Sequence, residues 1–407
     1  MVNLNRRRFL ASCTGIGAAG LLSATTTFTW DELMQAANAS PLAEGSGILV
    51  LVTLYGGNDG INTLVPLGDD AYHDARPELA YAPEELLALD DEFGLNPEMR
   101  GMAEMFDDKS LAIIRGVGYP EPDRSHFRSM DIWQSGSTDN GVTSGWIGRW
   151  LDTGNGADPL RALNIGSVLP MLAVGETTIA AAFSTQIIPP KSSAGFIKSM
   201  ARKDPDDNRA MALVRNSYRA VPTVADALAP LFADTDDDAP VSETGEGSNG
   251  LDVQLNAVAQ CISAGLPTRV YSVSIGGFDT HSEQRDDHRR LIGVVDRAVS
   301  RFMKKMQNDQ YGKHVVLMAY SEFGRRVEAN ASDGTDHGTA GPVFVAGQGI
   351  RGGFYGDEPS LTDLNDGNLK VTTDFRDIYS ELISVTLKSD PEPVLGAGRK
   401  KLGFFRA

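Results

Sequence analysis

Residues 47–55 read GILVLVTLY, and GGNDG follows at residues 56–60. A short, unbroken apolar run closed by two glycines predicts a strand buried on both faces and ending in a tight loop. The loop carries Asp59 close to glycines, where backbone can come near and the carboxylate stands unobstructed. Asn58-Asp59-Gly60 equally suits a plain turn. Further runs behave like the first: LAIIR at 111–115, RVYSVSI at 269–275, HVVLMAY at 314–320 and PVFVA at 342–346. Helical stretches lie between and after them, at 97–106, at 283–306 and at 375–387. In the longest, Leu291, Val294, Val295, Val299 and Phe302 recur at helical spacing. Continuous apolar strands separated by helices predict an α/β fold, with a mostly parallel central sheet and helices on both faces. The functional edge of such a sheet lies at the carboxyl ends of its strands.

The chain has 407 residues and a formal net charge of −17. That acidic balance argues against nucleic acid or anionic lipid as a partner. Residues 136–210 are rich in Gly, Ser and Thr and break the strand–helix rhythm, as an insertion or cap over the sheet edge would. Residues 234–250, DTDDDAPVSETGEGSNG, predict a disordered acidic surface loop.

The N-terminus reads differently. Asn5-Arg6-Arg7-Arg8-Phe9-Leu10 resembles a twin-arginine export signal, and a weakly apolar stretch and Ala37-Asn38-Ala39, a small-residue cleavage site, follow. Residues 1–39 are therefore expected to be a signal peptide outside the fold, and residues 40–407 a single domain. The expected partner during export is the twin-arginine translocase, and the expected location is periplasmic or extracellular. The apolar stretch is too short and glycine-rich for a stable membrane span. Cleavage would leave Cys261 as the one cysteine, so no intramolecular disulfide is expected.

Acids and histidines gather at the strand ends. Asp279 and His281 in FDTH are two apart, which in extended backbone puts both side chains on one face. Asp336 and His337 in GTDHG are adjacent and would point apart. Glu322 follows the strand at 314–320 as a candidate ligand, and Arg325 is a candidate clamp for an anionic group. Ser125, in DRSHFR, suits a nucleophile activated by metal or by the neighbouring histidine, and equally a helix N-cap. His73, His288 and His314 read as unremarkable, His288 on the polar side of the long helix.

LVTLYGGNDGINTLVP, Arg76-Pro77, DRSHFRSMDIW, GGFDTH, SEFGRRVEAN and GTDHGTAGPVFVAG follow the export signal in this order. Together they resemble a large, mostly uncharacterised family of twin-arginine-exported bacterial proteins, placed with the alkaline phosphatase, sulfatase and phosphoglycerate mutase superfamily. The resemblance implies an alkaline phosphatase-like fold and a divalent-metal site of one or two ions (Zn, Mn, Mg or Ca). It implies Asp59, Asp279, His281, Glu322 and His337 as ligands, with Asp336 as a substitute, and Ser125 as the nucleophile. Phe323 stands where the superfamily has a ligating histidine. The expected activity is hydrolysis of phosphate or sulfate esters, with Ser125 and Arg325 as catalytic residues. The alternative is a non-catalytic exported protein on a degenerate hydrolase fold, binding cell-surface polymer or a partner protein.

Overall fold

A computed structural model describes residue 28 and residues 30–154, 158–166, 169–183 and 250–406. The twin-arginine motif lies outside the described residues, as do all but the last residue of the acidic loop 234–250 and all of 184–210.

The first apolar run forms β1, Ile48–Leu54, all seven residues of which are buried. The main sheet adds β2 (Leu111–Gly118), β3 (Ala162–Ile165), β4 (Ala181–Phe183), β5 (Val270–Ile275), β6 (Val315–Ser321), β7 (Gly341–Gly347) and β8 (Gly353–Tyr355). Their order across the sheet is β8-β2-β7-β6-β1-β5-β3-β4, and Thr373–Asp374 also pairs with β2. All pairings are parallel except those of β7, which runs antiparallel to β2 and β6. A small antiparallel sheet of Leu64–Pro66, Leu87–Ala88 and Phe93–Leu95 lies apart.

Alternation along β1 explains the two layers. Ile48, Val50, Val52 and Leu54 pack into one core, and Leu49 and Leu51 into the other. The first core takes the apolar faces of α1 (Trp30–Ala39), α2 (Arg100–Asp107), α4 (Leu251–Ser263) and α5 (Gln284–Gln307). On α5, Leu291, Val295, Val299, Phe302 and Met306 are the buried stripe. The second core takes α3 (His126–Ser135), Trp146–Asp152 and α6 (Phe375–Glu381). Burying one such aliphatic side chain contributes about 1.5–3 kcal/mol.

Residues 30–39, expected as the end of a signal peptide, form α1 in the full chain, and its Leu33 and Ala37 are buried in the first core. Two expectations need correction. Part of 136–210, taken as an insertion, supplies β3 and β4, which extend the main sheet beyond β5. The helix expected over 375–387 is α-helical only to Glu381 and continues as a π turn over Leu382–Thr386.

The topology sets up the functional edge. Strands β1, β5 and β6 are parallel, so GGNDG, FDTH and SEFG all leave the sheet at one end. Antiparallel β7 begins where its neighbours finish. The short hairpin Arg325–Ala329 with Thr335–His337, which precedes β7, is thereby brought to the same edge.

Candidate metal centre

Four side chains converge at that edge. Asp279 and His281 come from the loop after β5, His337 from the end of the hairpin, and His126 from the first turn of α3. Nε2 of His337 is the hub. It lies 3.1 Å from Nε2 of His126, 3.0 Å from Nε2 of His281 and 3.0 Å from Oδ1 of Asp279. Nε2 of His281 is 2.9 Å from the same Asp279 oxygen, and Nε2 of His126 is 3.4 Å from Oδ2. His126, Asp279 and His337 each offer a ligand atom within 4.8 Å of the others.

The outer nitrogens decide what the inner ones carry. Nδ1 of His126 is 2.8 Å from Oε1 of Glu322, and Nδ1 of His337 is 2.9 Å from the carbonyl oxygen of Arg124. A carboxylate and a carbonyl only accept, so both Nδ1 atoms donate and both neutral rings aim an Nε2 lone pair inward. Two lone pairs 3.1 Å apart beside a carboxylate require a positive charge between them. A proton can supply it: hydrogen bonds to Asp279 and Glu322 push His126 up to about 9, against the effect of burial. A metal ion fits as well. Zinc–nitrogen bonds of about 2.0–2.1 Å in a tetrahedral site place neighbouring ligand atoms roughly 3.3–3.4 Å apart, a few tenths of an ångström wider than the 2.9–3.1 Å contacts around His337 and His281 and equal to the 3.4 Å between His126 and Asp279. Burial alone would raise the Asp279 carboxyl, but in the protonated, ion-free cluster the His126 and His337 imidazoles and the Arg325 guanidinium beside it hold it far below the usual carboxylate range.

Close packing fixes the loops. Gly56 has φ +116°, and a Cβ there would lie 2.5 Å from the backbone nitrogen of Asp279. Gly57 has φ +71°, and a Cβ there would strike the Phe323 ring at 2.3 Å. Phe323, which cannot ligate, is a buried wall, its ring centre 4.8 Å from that of His126 and 5.0 Å from that of His337.

Several residues expected at the ion lie elsewhere. Asp59 is fully buried in an ion pair of 2.6 Å with Arg76 and also accepts from Gln284, so its carboxylate is already neutralised. Glu322 faces His126 rather than the centre of the cluster. Its Oε1 accepts from His126 and from the Gly56 amide, and its Oε2 from Ser321, so it orients His126 from behind. Arg325 is fully buried and cannot clamp a substrate. Its guanidinium donates to the carbonyls of Gly56, Gly57, Phe278 and Thr335 and to Asp279. Asp336 is more than half exposed, with Oδ1 3.6 Å from Nδ1 of His281. Ser125 is exposed at the N-cap of α3, and its hydroxyl does not cap the helix. Its chain neighbours both touch the cluster, Arg124 through its carbonyl and His126 through its ring.

Two histidines have roles that the sequence did not disclose. His126, expected only as a possible activator of Ser125, is a member of the cluster, and its position after a strand was the available signal. His288, read as solvent-facing, is buried, with Nε2 3.0 Å from Oδ1 of Asn58, and burial brings it down to about 4.

A carboxylate that holds the outer nitrogen of a ligating histidine commonly changes metal affinity by about 10–100-fold. Glu322→Gln is therefore expected to weaken metal binding by that factor while leaving the fold intact, as read by titration of metal-stripped protein. Unchanged affinity would show that His126 is not a ligand.

Solved structures similar to this chain include a protein in the alkaline phosphatase superfamily from Vibrio parahaemolyticus, at 10% identity and a TM-score of 0.41, with 90% of this chain and 73% of that one covered. The lipoteichoic acid synthase LtaP from Listeria monocytogenes matches at 10% identity and 0.37, over 93% and 81%. The phosphonate monoester hydrolase of Agrobacterium radiobacter matches at 11% identity and 0.37, over 88% and 78%. No curated protein matches the sequence. The sequence profile of a family described as "Protein of unknown function (DUF1501)" matches residues 192–393, which bears out the resemblance to an uncharacterised family.

Proposed function

We propose that this chain is an exported, metal-dependent hydrolase of phosphate or sulfate esters. The observation that carries the metal reading is the pair of inward Nε2 atoms on His126 and His337, with both outer nitrogens committed to acceptors, beside Asp279. The ester class comes from the family resemblance set out above. His126, His337 and Asp279 would hold the ion, with His281 completing the set. An imidazole-rich donor set suits zinc or another first-row transition ion better than calcium or magnesium, which prefer oxygen. When bound, such an ion lowers the pKa of a hydroxyl or water and offsets the negative charge of the transition state.

The chain's own residues do the rest. Glu322 and the Arg124 carbonyl hold two rings in the tautomer that presents Nε2. Arg325 pins Asp279 at 2.8 Å and so fixes the carboxylate. Ser125 offers an exposed hydroxyl at the head of α3, the position proposed for the nucleophile. Arg124, with a side chain 45% exposed and 3.9 Å from Asp366, replaces Arg325 as the guanidinium that can meet an anionic group. Export by the twin-arginine translocase belongs to the same proposal. Among the described residues, no helix is long and apolar enough to cross a membrane.

A second reading, a cation site that only stabilises a non-catalytic protein, is favoured by the burial of Arg325 and by the Phe323 wall. Metal analysis of protein folded in the cytoplasm, followed by assays of phosphomonoesters, phosphodiesters and sulfate esters with Zn²⁺ and Mn²⁺, separates the two. About one tightly held ion per chain and turnover lost in Ser125→Ala are expected. An ion with no turnover of any ester supports the second reading, and no ion overturns both.

A further inference from the structure

A separate cavity of about 250 Å³ lies between the small antiparallel sheet and the β2–β7 region of the main sheet. None of the metal-centre side chains lines it. Its apolar wall includes Leu64, Phe93, Leu361 and Leu369, and its polar end holds Arg115 and Glu358.

The polar end is charged but under-partnered. The Arg115 guanidinium is fixed over the rings of Phe93 and Phe354, 5.5 and 5.1 Å from their centres, and Nη2 donates to the Gly356 carbonyl. Its Nε is buried without a hydrogen-bond partner. Oε2 of Glu358 lies 3.7 Å from that Nε, too far for a hydrogen bond. Partial burial pushes the Glu358 carboxyl up to about 7, against the pull of Arg115, while 37% of its side chain still meets solvent. One end of the cavity thus presents a positive and a negative group side by side, and the rest is apolar apart from Asp69 and Ser360.

We infer that this cavity binds a small zwitterion with an apolar side chain, namely a free apolar α-amino acid. Its carboxylate would meet the Arg115 guanidinium and its ammonium the Glu358 carboxylate, while the side chain lies against Leu64, Phe93 and Leu361. A simple carboxylate would face Glu358 and a simple amine would face Arg115, so each leaves one charge opposed. Size agrees: a cavity of about 150 Å³ already holds benzene, and this one is larger.

Isothermal titration of the full chain with L-leucine and L-phenylalanine tests this, beside 4-methylpentanoate, which lacks the ammonium, and 3-methylbutylamine, which lacks the carboxylate. Saturable binding with a Kd below about 1 mM is expected for at least one amino acid, with both analogues at least ~10-fold weaker. Arg115→Met, which keeps the stem over the rings, and Glu358→Gln should each weaken binding by a similar factor, with thermal unfolding confirming that both fold. No saturable binding of either amino acid up to about 10 mM, or analogues that bind equally well, would overturn the inference. The ester-hydrolase reading does not enter this test, because the metal centre shares no side chain with the cavity.

Discussion

His337→Ala is expected to lower the affinity of the metal-stripped protein for zinc by more than about 100-fold and to abolish any ester hydrolysis. The size of the effect follows from position. Nε2 of His337 is the one atom within 3.1 Å of His126, His281 and Asp279 together. Its ring is fixed by the Arg124 carbonyl and packs against Phe323. Truncation removes a ligand and leaves His126 facing a gap. The fold should survive, because His337 ends a short hairpin strand at the surface of the sheet edge. Asp336→Ala is the matched control: Asp336 is 56% exposed and only distantly contacts His281, so it should change affinity by less than about three-fold. Titration calorimetry on both variants, with circular dichroism to confirm folding, reads the difference. If His337→Ala binds zinc as tightly as the parent, the cluster is not a metal site and its convergence is met by a proton on His126.

Legibility of the fold followed burial on both faces. β1 is buried at every position, so its sequence carries no competing polar signal, and β5, β6 and β7 read almost as clearly. Once those strands are parallel, the convergence of FDTH and SEFG follows from topology alone. The hairpin that carries His337 did not read as a strand pair. Arg325–Ala329 and Thr335–His337 are short and charged, and they pair through a register shift that no periodicity announces. β3 and β4 were missed because four- and three-residue strands are too short to show a pattern.

The site was legible in its residue types and less so in its roles. Asp279, His281 and His337 meet, but an acid in sequence does not show what will neutralise it. Glu322 found a histidine, and Arg325, which read as a clamp for an anionic group, is held by four carbonyls and a carboxylate. Arginines of this kind are misread because solvent exposure is the ordinary state of the residue. Here backbone carbonyls released by tight glycine turns create an interior demand for donors.

The same logic makes Arg76→Met the largest expected loss of stability, about 3–5 kcal/mol at neutral pH. Arg76 and Asp59 are both fully buried and 2.6 Å apart, and Arg76 also donates to the carbonyls of Arg326 and Val327. Methionine keeps much of the volume but strands the Asp59 carboxylate and two acceptors away from water. In the parent, burial would raise the Asp59 carboxyl, yet Arg76 and His288 bring it below the ordinary value, so the pair stabilises the fold above about pH 4 and loses that contribution as pH falls further. In the variant the carboxyl keeps only Gln284 and His288 against burial, the largest effect, and rises above its unfolded value, so its penalty grows as pH rises past about 4. The gap between parent and variant should therefore be widest near pH 7 and narrow toward pH 4, as measured by urea unfolding across that range. Adding Asp59→Asn to Arg76→Met should recover part of the loss, because the stranded charge is gone. Asp59→Asn alone should be destabilising, since it leaves the guanidinium as the unpaired member. If Arg76→Met were as stable as the parent near pH 7, water or an ion would have to reach Asp59, and its exclusion from the metal centre would fail.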